Sequence, residues 1–510
     1  MGAALFTGSP ASAQSDQLDR LNVPYVDVPP ARRSDLILLP ALAEMDPPPV
    51  GADTPAAAQL LYTASTLWPA AEAWVTAEPQ RKVIEALGQA TRGVAEGRPM
   101  HFAQPYGPQG VDPALIKARL YTALGDPPLL AGKRLLYLRA INDLVCLVNV
   151  EATRLGDEGK PGQACDLLVN LVYLGRQLAD RSFFEEATAG LSIMKDALTR
   201  IRDVAYVDFR GSRNLSPADI ERTIKALEIY GRGYLDPARL KFPEGHHLAA
   251  RQLFEQLYEP RGHVREDMYA KTMARLKTAE RPLRLFAEAS RYESAGAEQA
   301  DWFEMRDTIE NVFGSWSSRW TLSPFDRQLA LPYTWDLTDQ SRFQVITASS
   351  PDLAPLYQYR LEFETEAVGT RHALALLGYF YELGVFPPDA SSVRPRWMEK
   401  IEADPFNPDR RVGRVPPMHF FVPVRDDYVA DERDTAQPHE MNVFPLAGVN
   451  FALRLREDQF VLYSVGRNGV DDNAAEVTDD ASAAQTGDYL IWPPVLSLYR
   501  THLIQTNQLP

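Results

Sequence analysis

The chain has little cysteine, no long apolar run, no compact catalytic motif and a shortage of positive charge. Only Cys146 and Cys165 occur in 510 residues. Both sit in apolar helical patterns, where a thiol packs as a small hydrophobe. Two cysteines without paired histidines cannot build a zinc site of the usual kind, and the sequence leaves open whether they pair with each other. No stretch of 18 apolar residues exists, so no segment reads as a membrane-crossing helix. There is no Gly-x-Ser-x-Gly elbow, Walker loop, Gly-x-Gly-x-x-Gly turn, HExxH or CxxC. A triad scattered along the chain leaves no such trace, so these absences weigh against an enzyme without excluding one. Lysine and arginine number 53 against 68 aspartates and glutamates, for a net charge of −15. That field repels a phosphate backbone and no basic stripe offsets it, so nucleic acid is not an expected partner.

What is present points to a large folded protein. Hydrophobic residues make up 45% and aromatics 10% of the chain, enough for sizeable cores and against wholesale disorder. The length suggests two to four domains. Ala11-Ser12-Ala13 before Gln14 has the small-x-small form of a signal-peptidase site, although residues 1–10 carry no positive charge and little apolar core. Residues 1–15 therefore read as the remnant of a secretory signal or a disordered start, and the first reading places the protein in the periplasm, the cell envelope or the medium. Residues 16–57 are rich in proline, including Pro47-Pro48-Pro49, and read as an extended surface segment with Leu36–Leu42 docked on the core.

Residues 58–336 read as a multi-helix body. Leu167, Leu171, Leu174 and Leu178 form one stripe of an amphipathic helix. Ser182 with Glu185 reads as the capping box of the next helix, whose stripe is Ala187, Leu191, Met194, Leu198 and Ile201. Ser216-Pro217 with Asp219 marks another start, and shorter helices are expected near 247–259, 264–293 and 297–312. A long helix spans 352–384, stopped by Gly384 and Pro387-Pro388. Beyond it, Met418–Val424, Asn450–Leu455 and Gln459–Val465 alternate as strands, with an acidic loop from Asp426 to Glu440. The expected fold is mainly α: a helical body, then a long helix with a small antiparallel sheet over 352–510.

The tail carries an ordered set of motifs. The long helix leads to Gly384-Val385-Phe386-Pro387 and Asp404-Pro405-Phe406. Tyr463-Ser464-Val465-Gly466, Asn468-Gly469, Asp471-Asp472, Asp488 and Trp492 follow. This unit of about 125 residues resembles the soluble part of the major pseudopilin of type II secretion, and more closely a group of large uncharacterised bacterial envelope proteins that carry a helical region ahead of the same tail. The resemblance implies a helix feeding a short sheet and a calcium site on a late Asp-rich loop, here Asp471, Asp472 and Asp488. The chain departs from the pattern in several ways. The peptidase site and membrane-spanning helical start of a pilus subunit are missing, the Asn407–Gln459 segment is longer, and Asn473 and Ala474 stand where glycines are usual.

Each candidate site has a plainer alternative. Calcium takes six to eight oxygens, which an Asp-rich turn can supply; the same turn also reads as a solvated acidic turn that keeps a sheet edge soluble. Glu244, His246, His247, His263, Glu266 and Asp267 are all ligand types, but their spacing matches no zincin pattern, which favours surface or capping histidines. Asp404 before proline suits a structural turn, and Trp492-Pro493-Pro494 a packed terminus. Trp302, Trp316, Trp320 and Trp335 read more readily as core than as a groove. The function expected is a non-enzymatic envelope or secreted scaffold or binding protein with a protein partner and a calcium-stiffened tail. The alternatives are a hydrolase acting on envelope polymer from a helical groove, and an accessory component of a secretion-pilus assembly.

Overall fold

The computed structural model describes residues 10–231, 233–276, 299–322, 326–408, 416–426, 438–479 and 487–509, and for 10–15 the backbone alone. Its centre is a helical hairpin, Pro161–Ala179 followed by Phe184–Arg210. Both apolar stripes read from the sequence are buried here, from Leu167 to Leu178 on one helix and from Ala187 to Ile201 on the other. Two glycines set how close the hairpin helices come. A Cβ on Gly190 would collide with the Ala179 nitrogen and the Gly175 carbonyl oxygen, and one on Gly175 would lie 2.8 Å from the Gly190 carbonyl oxygen. The helix Leu138–Asp157 covers one side of the hairpin, and the long helix Pro355–Leu383 packs along its second arm. Gly384 ends the long helix in the left-handed conformation at φ 72°, its N–H returning to the Phe380 carbonyl. Cys146 and Cys165 are buried free thiols.

Two expectations near helix starts are resolved differently. Ser216 and Asp219 cap each other as read, each side chain accepting from the other residue's backbone N–H at 3.2 Å. At the hairpin turn, the helix starts one residue later than expected and Glu186, not Glu185, accepts from the Phe183 N–H. Ser182 meets the Tyr25 hydroxyl at 2.5 Å instead, and Glu185 faces Lys133 and His246. The one-residue shift places Glu186 at the buried end of a network that the pattern of Ser and Glu alone does not reveal.

Residues 16–57 are not an extended segment. They contain the helices Pro10–Val26 and Asp35–Ala43, and the longest stretch without helix or strand is 44–54, around the proline triplet. The reason is apolar periodicity: Leu18, Leu21 and Tyr25 share one face and are buried, as are Leu38, Leu39 and Leu42. Burial of these faces outweighs the cost of Pro24 and Pro40 late in their helices. Ala11-Ser12-Ala13 lies in the first of these helices, and residues 1–9 lie outside the described residues. The helix expected over 264–293 is described only as Glu266–Leu276.

The tail holds a mixed sheet, which corrects the expectation of a purely antiparallel one. A two-residue ribbon of β1 (Thr122–Ala123) and β2 (Arg134–Leu135) lies in the body. The tail strands are β3 (His419–Phe421), β4 (His439–Leu446), β5 (Val449–Leu455), β6 (Val461–Ser464), β7 (Glu476–Thr478) and β8 (Asp488–Trp492). They lie in the order β3-β6-β8-β7-β4-β5, with β7 parallel to both neighbours. Alternation along a strand shows which face each residue takes but not the direction of the neighbouring strand, and β7 is only three residues long. The long Asn407–Gln459 segment builds the β4–β5 hairpin, closed by Ala447-Gly448 with Gly448 at φ 79°. Residues 427–437 of the acidic loop lie outside the described residues.

The sheet is covered on both faces. Leu462, Tyr489 and Ile491 join the core shared with the helical body, while Val461, Tyr463 and Leu490 face a second core with Val495 and Leu498 of the C-terminal helix Val495–Gln505. In β6 and β8 every residue is buried, as expected of strands packed on both sides.

Gly190→Ala is expected to destabilise the protein by about 1–3 kcal/mol, because the added methyl meets backbone atoms that cannot yield. Gly88→Ala, in a helix where a Cβ meets nothing within 4 Å, is expected to stabilise it by about 0.5–1 kcal/mol. Urea unfolding of the two variants reads both signs.

Candidate functional site

The Asp-rich turn runs from the end of β6 to the start of β7 and is locked from inside by Asp488. The Asp488 side chain, fully buried at the start of β8, accepts the Ala474 N–H at 2.7 Å and the Asp472 N–H at 3.2 Å. Asn473 and Ala474, at the positions where glycines are usual, both take left-handed backbone at φ 53° and 54°. Asn tolerates that conformation; Ala does so at some cost in strain. Asp471 accepts from the Tyr463 hydroxyl at 2.8 Å and the Asn473 N–H at 2.9 Å, and its second oxygen faces His419 Nδ1 at 3.2 Å. Burial, with the charges of Asp471 and Asp472, pushes the Asp488 carboxyl up to about 7, while the two backbone N–H groups pull the other way.

The three predicted residues therefore come together at one turn. Their donor chemistry, carboxylate oxygen, is what a hard cation takes. As arranged, the oxygens of Asp471 and Asp488 are directed to the turn's own amides, Tyr463 and His419. Among the described residues, no group of three or more His, Cys, Asp or Glu side chains is placed to hold a metal ion.

The second acidic and histidine cluster is not brought together. His246 is fully buried, with Nδ1 on the Ser349 carbonyl at 2.8 Å and Nε2 accepting the Phe184 N–H at 3.1 Å. Burial and Lys133 hold it below its ordinary pKa. Its neighbour His247 stacks on Phe313 and meets Glu310 at 3.2 Å. Glu244, His263, Glu266 and Asp267 are exposed. Trp316, Trp320 and Trp335 are core residues, whereas Trp302 is half-buried at the edge of a cleft. Asp404 is structural as read: its carboxylate accepts from Ser464 Oγ at 2.6 Å, Phe406 N–H at 3.0 Å and Val465 N–H at 3.2 Å.

Sequence reasoning missed the buried ionic groups. Glu366 on the long helix accepts from Arg202 and from Thr199 Oγ1 (3.3 Å) of the second hairpin helix, and from the Tyr489 hydroxyl (2.7 Å) of β8. Arg371 joins Glu228 and Glu402, and burial lifts Glu402 to about 7. Burial and the adjacent Arg371 charge push His372 down to about 3. Arg181 lies between the rings of Tyr25 and Tyr106, 4.2 and 4.3 Å from their centres, and pairs with Glu186 at 2.9 Å. The one signal in the sequence was charged residues inside otherwise apolar helical faces.

Surface clefts accompany this interior, among them three formed by described residues. One, of about 630 Å³, lies beside the first half of the long helix, lined by Tyr333, Tyr357 and Tyr359, with Asp352 and the Lys195–Glu362 pair (3.1 Å) in its wall and Arg467 of the tail at its edge. A second, of about 590 Å³, is rich in arginine and aromatic rings. The third is a charged surface groove beside Arg81, Glu151 and Arg154.

Because the folded-state pKa values of Asp488 and Glu402 lie above the unfolded values of about 4, the folded state holds more protons. The stability these groups contribute is fully present below pH 4 and is lost as pH rises through about 7. The unfolding midpoint is expected to fall across that window, and Asp488→Asn to flatten part of the fall, leaving the share carried by Glu402; an unchanged profile in the variant would show that Asp488 does not carry it. No protein-family model matches the chain, and no curated protein or solved structure matches it either.

Proposed function

We propose that this chain is a non-enzymatic scaffold or binding protein of the periplasm, cell envelope or secreted fraction, with a pseudopilin-like tail fixed to a helical body that meets a protein partner. One observation carries the reading. Among the interior groups with displaced pKa values, Asp404, Glu402, Asp488, His246 and His372 each face backbone or an internal partner. Displaced acids and bases gather at catalytic sites when they open into a cleft; these hold the fold. No helix among the described residues is long and apolar enough to cross a membrane. The extracytoplasmic location rests on Ala11-Ser12-Ala13 and on the resemblance of the tail.

Calcium enters this reading as a stiffener of the Asp-rich turn through Asp471, Asp472 and Asp488. A cation there would offset the burial, and the Asp471 and Asp472 charges, that raise Asp488. The competing reading, a hydrolase acting on envelope polymer, is favoured by the tyrosine-lined cleft, which places Asp352 and Glu362 in one wall.

Thermal unfolding with excess calcium and then with a chelator tests the tail. A ligand bound only by the folded state raises the stability by mass action, by about 2.7 kcal/mol at one hundred times its Kd, and the midpoint rises with it. The expected result is a rise with calcium that Asp471→Ala combined with Asp472→Ala removes. No rise removes calcium from the proposal and leaves Asp488 as an internal cap. Release of soluble fragments from purified envelope polymer, abolished by Glu362→Gln, would replace the scaffold reading with the hydrolase.

A further inference from the structure

The 590 Å³ cleft lies between the helix Pro10–Val26, the helix Gly245–Leu257 and the helix Trp302–Trp320. Its volume suits a small-molecule ligand. Four arginines line it, Arg20, Arg251, Arg265 and Arg306, in a chain whose net charge is −15. Three acids share the lining, Asp16, Glu255 and Glu310. Arg251 is held by Glu310 through two hydrogen bonds of 2.8 Å, Arg306 by the adjacent Asp307, and Arg20 lies 3.6 Å from Asp16. Arg265 is different: half-buried on the cleft wall, its guanidinium has no hydrogen bond or ion pair among the described residues. A guanidinium presents five N–H donors in a planar fork that matches a carboxylate or phosphate.

The apolar part of the cleft is aromatic. Phe254 packs against Tyr258 at 5.0 Å and against Trp302 at 5.6 Å between ring centres. Arg306 lies over Trp302 at 5.0 Å, which fixes that ring at the rim. Trp302 is the one member of the tryptophan cluster that stays half-buried rather than entering the core.

We infer that this cleft binds a small organic anion, its carboxylate or phosphate on Arg265 and its flat apolar part against Phe254, Tyr258 and Trp302. Neither element suffices alone. A bare inorganic anion leaves the rings uncovered, and a neutral aromatic leaves Arg265 unpaired. The lining carries four arginines against three acids, so affinity should fall with added salt.

Isothermal titration with phenyl phosphate, inorganic phosphate and benzyl alcohol tests this on the whole chain. Phenyl phosphate is expected to bind at least about tenfold more tightly than either partial analogue, which corresponds to about 1.4 kcal/mol. Arg265→Gln and Trp302→Ala should each weaken phenyl phosphate about tenfold or more. Among the described residues Arg265 has no internal partner to lose, so Arg265→Gln should leave the unfolding midpoint unchanged and keep the result readable even if Trp302→Ala unfolds. Absence of binding at millimolar phenyl phosphate, equal affinity for inorganic phosphate, or affinity unchanged in Arg265→Gln would each overturn the assignment.

Discussion

The Glu366 carboxylate is buried where three parts of the chain meet. One oxygen accepts from Arg202 and Thr199 of the hairpin, and the other from Tyr489 of the tail sheet. A charge removed from water costs several kcal/mol unless its partners are close and complete, and loss of one partner of such a pair costs about 3–5 kcal/mol. Arg202 also donates to Thr370 at 2.7 Å, one turn further along the long helix. This geometry fixes the long helix against the hairpin and the sheet against the long helix at one point. The strands β6 and β8, buried between two apolar cores, meet the helical body beside this point.

Two further polar joints repeat the device. Arg500 of the C-terminal helix holds Asp203 of the hairpin through two hydrogen bonds of 3.0 and 2.8 Å and reaches the Gln59 carbonyl at 2.6 Å. It thus ties residues near both ends of the chain to the central helix. At the other end of that helix, Arg181 and Glu186 join the hairpin turn to Tyr25, Tyr106 and Tyr137. The segment between body and tail is packed as well: Val345, Ile346 and Ala348 of its short helix are buried.

Much of the helical framework was legible from the chain alone. The stripes Leu167–Leu178 and Ala187–Ile201, the Ser216–Asp219 cap and the stop at Gly384 depend on local spacing, and the structure places them as read. So do Asp404 and most of the tryptophan cluster. Three kinds of feature were not legible. The helices of the proline-rich start are obscured by Pro24 and Pro40, whose local preference against helix is overridden by burial of the Leu18, Leu21, Tyr25 face. The parallel pairing of β7 depends on neighbours distant in sequence. Glu186 as the centre of the hairpin-turn network, and Glu366 as the joint, depend on partners 49 to 167 residues away that no window contains. Asp488, at the start of β8, lies against the turn that carries Asp471 and Asp472; that its carboxylate is directed to the amides of Asp472 and Ala474 follows only from the coordinates.

The most direct test of the joint is native-state amide hydrogen exchange on the wild type and on Glu366→Gln, which reports local opening free energies along the chain. If Glu366 fixes body and tail together, the long helix, the second hairpin helix and strands β6 and β8 lose protection by similar amounts in the variant. Loss confined to the sheet, with the hairpin and long helix as protected as before, would show that the tail is an independent unit and contradict the account.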